Sequence, residues 1–185
     1  KIDSMGNQEW NRTYRGGIVE IAYSVQQTSD GGYIALGTKG VQGLGSCDLF
    51  LMKINSTGNQ QWNKTFGSSR NDMGEFAQQT SDGGYILGGW TNSSGNLDWL
   101  VVKTNSTGSQ QWNKTYGGPD DDYGTSVQQT SDGGYIVAGQ TAFGQGSGDA
   151  WVLKLNADGS VAWQKTYGGL GSEYAFSIQQ TADGG

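Results

Sequence analysis

The chain has 185 residues, 33 of them glycine and only one proline, and carries a formal charge of −6. That acidity makes phosphate backbones and anionic headgroups poor partners, and no apolar run is long enough to cross a bilayer. Histidine is absent and Cys47 is the only cysteine, which excludes the commonest general base, imidazole ligation, an internal disulfide and a thiolate metal site.

Residues 1–17 read as a partial unit that opens on KIDSMG, the tail of a strand and its turn. A first full unit follows at 18–67. Its first strand, AYSVQQT (22–28), uses small residues suited to a crowded place. Asp30-Gly31 in TSDGGY then supplies the positive φ of a tight hairpin. The second strand, YIALG (33–37), is apolar on consecutive positions, so both its faces are expected to be buried. A Gly/Ser-rich loop, GVQGLGS (40–46), leads to a third strand, DLFLMK (48–53). The turn NSTG (55–58) precedes a fourth strand, QQWNKTF (60–66), which alternates apolar with polar residues and is expected to be half exposed.

The unit at 68–117 repeats the phrases: QQTSDGGYI at 78–86, YILGG at 85–89, DWLVVK at 98–103 and NSTG at 105–108. The unit at 118–168 does so again, with GTSVQQT (124–130), YIVAG (135–139), a loop GQGSGD (144–149), DAWVLK (149–154) and NADG (156–159). A partial unit, 169–185, offers AFSIQQT (175–181) and stops within QQTADGG. Trp10, Trp62, Trp112 and Trp163 keep the same phase as the glutamine pairs at Gln26, Gln78, Gln128 and Gln179, so length changes fall in loops. Aromatic residues recurring in phase do not belong to a disordered tail, and no sustained 3.6-residue period signals a helix. Four short strands in about fifty residues fit a propeller blade. The expected fold is therefore an all-β propeller of four-stranded antiparallel blades. The first strand is innermost because blades crowd at the axis, and the amphipathic fourth is outermost. The chain forms an incomplete arc, to be completed by the remainder of a longer chain or by another copy.

The pattern W-N-K-T-Y-G-G (112–118), S-V-Q-Q-T-S-D-G-G-Y-I-V-A-G (126–139) and D-x-W-L-V-K-x-N-S-x-G resembles a bacterial and archaeal β-propeller repeat family, abundant in methanogenic archaea. The resemblance implies a cell-surface or secreted protein without an assigned activity. NSTGNQQW (55–62) is also similar to the turn before the outer strand of quinoprotein-type propellers, which implies geometry and no chemistry. The blade-to-blade connection departs from one pattern, reading YRGGIVE (14–20), FGSSRND (66–72) and YGGPDDD (116–122).

Six N-x-S/T sequons, at Asn11, Asn55, Asn63, Asn92, Asn105 and Asn113, are glycosylation candidates, although turns use the same residues for their own hydrogen bonds. An acid precedes each inner strand: Glu20, Asp72, Asp122 and Glu173. As a ring at one mouth these carboxylates would hold calcium through oxygen ligands. Alternatively, each accepts backbone N–H groups in its own loop. Asp48, Asp98 and Asp149, which open third strands, and Asp30, Asp82, Asp132 and Asp183, in the hairpin turns, read as turn and loop acceptors. Asp120-Asp121-Asp122 lacks the alternating ligands of an EF-hand loop. Lys53, Lys103 and Lys154 end third strands, where pairing between blades with the repeated acids is expected. The glutamine pairs are expected to saturate backbone groups near the axis. Trp90 and Phe143, outside the shared pattern, are candidates for a ligand-facing surface. The functional expectation is a non-enzymatic extracellular scaffold, adhesion or interaction module, with no cofactor and with other surface proteins or glycans as partners. The alternative is a propeller that binds, or acts on, carbohydrate or binds calcium.

Overall fold

The computed structural model describes residues 1–14, 19–40, 47–142 and 148–185. Twelve strands form three antiparallel sheets, each in sequence order. The first contains β1 (Val19–Gln27), β2 (Tyr33–Gly40), β3 (Cys47–Ile54) and β4 (Gln60–Phe66). The second contains β5 (Asp72–Gln79), β6 (Tyr85–Thr91), β7 (Asp98–Thr104) and β8 (Gln110–Tyr116). The third contains β9 (Tyr123–Gln129), β10 (Tyr135–Thr141), β11 (Asp149–Leu155) and β12 (Val161–Tyr167). β5 packs against both β1 and β9, so the first strand of each sheet lies nearest the axis. The fold is that of an incomplete β-propeller, and no helix occurs among the described residues.

The runs of consecutive apolar residues are explained by the blade stack. Leu87, Leu100 and Val102 of the second blade join Leu36, Leu49, Leu51 and Phe66 of the first in one cluster. Their sequence neighbours Ile86, Trp99 and Val101 point the other way, into a cluster with Val127, Val137, Trp151 and Leu153 of the third blade. Alternate side chains therefore seal opposite faces of one sheet, and every residue of β7 is buried. Burial of each large aliphatic or aromatic side chain stabilises by about 1.5–3 kcal/mol, and the neighbouring blades supply that burial. β12 keeps the Trp, Lys-Thr and terminal aromatic of β4 and β8 but is exposed at every position; no described blade follows it.

Each inner strand carries a bulge: the register slips between Ala22 and Ser24 and between Gly74 and Phe76, and likewise opposite Ala138 and Gly139. Tyr23, Glu75 and Thr125 are the residues left out of the ladder, and they take the axis side chains out of strict alternation. The hairpin differs from a two-residue turn with positive φ at both positions. Among the described residues only glycines have positive φ, Gly31, Gly83 and Gly133 among them. The aspartate instead stays in an ordinary conformation and uses its side chain as the staple of the turn.

The partial units dock as their complete counterparts do. In the last, Gln180 N–H donates to Gln128 Oε1 at 2.8 Å and Ile178 N–H to Ser126 Oγ at 3.3 Å. In the first, Trp10 Nε1 donates to Ser56 O at 3.1 Å and the Tyr14 hydroxyl to Gly58 O at 2.8 Å.

Candidate functional site

Antiparallel order divides the hairpins between two ends of each blade. The TSDGG and N-x-x-G turns lie at one end, which may be termed the turn rim. The loops between second and third strands and the blade-to-blade connections lie at the other, the loop rim. The loops between second and third strands differ from unit to unit, whereas the TSDGG turn is identical in the three complete units.

At the turn rim the chemistry is closed. Asp30 Oδ1 accepts from the Thr28 hydroxyl at 2.6 Å and from Gly32 N–H at 3.0 Å, and Lys53 Nζ lies 2.9 Å from Oδ2. Asp82 with Thr80, Gly84 and Lys103, and Asp132 with Thr130, Gly134 and Lys154, repeat the arrangement. The lysine pairing is thus within a blade, not between blades, and the Lys53 and Lys103 side chains are only 5% exposed. The Thr28 hydroxyl, the Lys53 ammonium and Gly32 N–H lower Asp30 to about 2. Partial burial opposes the same effect at Asp82, but the Thr80 hydroxyl, the Lys103 ammonium and Gly84 N–H prevail and its value also falls to about 2.

Near the axis, the glutamines link inner strands that share no backbone ladder. Gln26 Oε1 accepts from Gln79 N–H at 2.8 Å, and Gln79 Oε1 accepts from Ser29 N–H of the preceding blade at 2.8 Å. Gln78 with Gln129, and Gln129 with Ser81, repeat the exchange. The backbone-saturating role expected of the glutamine pairs is the one they have.

At the loop rim, three of the four acids that precede inner strands accept from their own connections. Asp72 Oδ2 takes Ser68 N–H at 2.5 Å, Asp122 Oδ2 takes Gly118 N–H at 2.8 Å and Glu173 Oε2 takes Gly169 N–H at 3.3 Å. Glu20 stands 3.7 Å from Lys39. The four do not converge on a common point, and no group of three or more Asp, Glu or Cys is placed to hold a metal among the described residues. Each instead meets a third-strand aspartate where that residue is described: Asp48 with Asp72, Asp98 with Asp122, and Asp149 with Glu173, each pair flanking a glycine. Burial, then the Asp72 charge, raises Asp48 above the ordinary carboxylate range. Burial raises Asp122 against the pull of the Thr141 hydroxyl and the Gly118 and Ala142 N–H groups. The triad 120–122 divides its work: Asp120 O accepts from Asn96 Nδ2 at 2.7 Å, Asp121 Oδ1 from Leu97 N–H at 2.8 Å, and Asp122 turns inward.

The sequons separate into two kinds. Asn55 and Asn105 spend Oδ1 inside their turns, on Thr57 and Asn59 N–H and on Thr107 and Ser109 N–H. Asn92 is half-buried, its Oδ1 enclosed. Asn11, Asn63 and Asn113 are exposed, and Thr65 and Thr115, two residues along, share the exposed strand face of Asn63 and Asn113. Trp90 is half-buried, with its ring edge-on to Tyr123 at 6.4 Å. Phe143 lies outside the described residues. Glu75 escaped the sequence reading: this half-buried carboxylate bonds Trp90, and burial raises its pKa. Its signal was present, since an acid stands where the other units have Tyr23 and Thr125, at the bulge.

A family described as "Domain of unknown function (DUF5122) beta-propeller" matches residues 80–110 and 130–161. No curated protein matches the chain. Among solved structures, a protein of unknown function from Bacteroides caccae is similar at 13% identity, over 94% of this chain and 77% of that one, with a TM-score of 0.34.

Proposed function

We propose that the chain is a non-enzymatic module of a cell-surface or envelope protein, a rigid arc that presents its loop rim to other surface proteins or glycans. The observation that carries this reading is the unequal use of the two rims. Turn-rim acids and lysines brace each blade from within and axis glutamines link neighbouring blades, with almost the same bonds in every unit, whereas the loops between second and third strands differ in each. Binding surfaces commonly sit on variable loops held by a rigid scaffold. Glu75, Trp90 and Tyr123 add a carboxylate and two aromatic rings on that rim, outside the repeat. Exposed sequons at Asn11 and, on the outermost strands, at Asn63 and Asn113 accord with an extracellular setting.

The test is location and modification in the native host. Labelling of intact cells with a membrane-impermeant reagent, followed by glycopeptide mass spectrometry, is expected to recover the chain as surface-labelled, with glycans on Asn63 or Asn113 and none on Asn55 or Asn105. An unlabelled and unmodified cytoplasmic chain would refute the reading.

A further inference from the structure

Wherever two described blades meet at the loop rim, two carboxylates face each other across one glycine. A Cβ on Gly67 would lie 2.6 Å from Asp48 Oδ1 and 2.6 Å from Asp72 Oδ2. Gly117 stands in the same way between Asp98 and Asp122, and Gly168 between Asp149 and Glu173. A side chain at any of these glycines would fill the gap that separates the pair. None of the six acids has a cationic partner: the ion pairs of the described residues join Lys1, Lys39, Lys53, Lys103 and Lys154 to other acids.

The three junctions differ in how their oxygens are satisfied. At the middle one, the Ser94 hydroxyl donates to Asp98 Oδ2 at 2.6 Å and Asn96 Nδ2 to Oδ1 at 3.3 Å. Asp122 there takes Gly118 N–H at 2.8 Å and Ala142 N–H at 3.3 Å. At the third, Asp149 is 6% exposed, yet its Oδ1, which points into the gap beside Glu173, has no hydrogen-bond partner among the described residues. At the first, the Asp72 oxygen that faces Asp48 is Oδ2, which already accepts from the Ser68 N–H and hydroxyl. A buried carboxylate oxygen without a donor, beside a second carboxylate, requires a positive charge or a proton.

We propose that the Asp149/Glu173 junction binds a hard divalent cation, calcium by its chemistry, clamping the third blade to the unit that follows it. Calcium accepts irregular oxygen shells completed by water, whereas magnesium demands a near-ideal octahedron. With only two carboxylates per site, affinity falls in the weak range of extracellular modules, on the order of 10⁻⁴–10⁻³ M. This goes beyond the surface role proposed above and does not depend on it.

The test is the thermal melt of the chelator-treated full chain in calcium chloride, compared with magnesium and with potassium at matched ionic strength. Calcium is expected to raise the melting temperature, magnesium less so, and chelator to reverse the gain. Asp149→Asn, which relieves the facing charges, is expected to melt above the parent in chelator and to gain nothing from calcium. Asp48→Asn and Asp98→Asn each keep the full calcium shift. No calcium shift beyond the potassium control would overturn the proposal. So would an Asp149→Asn variant destabilised equally with and without calcium, which would make that carboxylate a loop staple alone.

Discussion

Asp82 and Asp122 sit at opposite ends of the second blade's junctions, and their surroundings are opposite in kind. Asp82 is half exposed, with 53% of its side chain open to water, and gathers a hydroxyl, a backbone N–H and a lysine head. Asp122 is fully buried and faces Asp98. One end of the blade thus neutralises its charges internally and repeats them without change, while the other brings like charges together inside variable loops. The lesson is that repetition in sequence does not imply a common purpose: one repeated acid is a staple, and another forms half of a strained junction.

The sharpest way to break this contrast is to add one methyl group at each end. A Cβ on Gly84 would overlap Thr104 O, a backbone atom, and stand 2.7 Å from Lys103 Nζ. At Gly117 it would meet the carboxylates of Asp98 and Asp122, the movable ends of side chains. Gly84→Ala is expected to cost about 2–3 kcal/mol and Gly117→Ala about 1 kcal/mol, read by urea denaturation. Equal costs would mean that the two ends are equally rigid.

Removal of the turn-rim charge comes next in size. Asp82→Asn keeps the shape of the turn but leaves the buried Lys103 head with Thr104 O at 2.8 Å and Gln111 Oε1 at 3.1 Å as its remaining partners. The expected cost is about 1–2 kcal/mol, well below that of a fully buried pair because the aspartate is half solvated. An unchanged denaturation midpoint would show that the pair contributes nothing net.

Acid titration sets the two ends against each other with opposite signs. Asp30 and Asp82, lowered to about 2, contribute stability that is complete above the ordinary value of 3.8 and is lost as pH falls through about 2. Asp122, raised by burial, contributes stability that is complete below 3.8 and is lost as pH rises through its folded value. In chelator, stability is therefore expected to peak in weakly acidic solution and to decline toward both neutral pH and strong acid. In Asp122→Asn the decline toward neutral pH becomes shallower while the acid limb is unchanged. A profile of Asp122→Asn that overlays the parent throughout would remove Asp122 from the account.

Much of this architecture is legible in the sequence, because blade packing imposes a local signature. The alternation of Ile86 and Leu87 between two cores appears as a run of apolar letters, and the Gln26–Gln79 exchange as an invariant phrase. What the sequence does not carry is the meeting of residues from different units. Asp48 and Asp72 are separated by most of β3, all of β4 and two connections; the same separation recurs for Asp98 and Asp122 and for Asp149 and Glu173, but any two positions of a repeat keep a fixed spacing, so it does not mark a contact. The lysine partners were misassigned for a related reason. Lys53 on β3 reaches Asp30 in the β1–β2 turn of its own blade, a choice that the repeat alone leaves open between the same blade and the next. Glu75 was visible only as a departure from a pattern otherwise filled by other residue types.

The smallest expected effect concerns the one blade contact in which a hydroxyl is missing. Tyr116 donates to Gly159 O at 2.6 Å and Tyr14 to Gly58 O at 2.8 Å, each tying the end of an outer strand to the turn of the next blade. The equivalent residue between them is Phe66, 7% exposed and packed in the cluster shared by the first two blades. Its counterpart acceptor is Gly108 O, in a turn whose glycine already rests on Trp62 as Gly58 rests on Trp10 and Gly159 on Trp112. Phe66→Tyr adds a donor to a carbonyl positioned as its two equivalents are, and a net gain of about 0.5–1 kcal/mol is expected. Tyr116→Phe should lose a comparable or larger amount, because it leaves Gly159 O without that donor. Should Phe66→Tyr destabilise the chain, the first interface is set at a different spacing from the second, and the blades are less equivalent than their repeated letters imply.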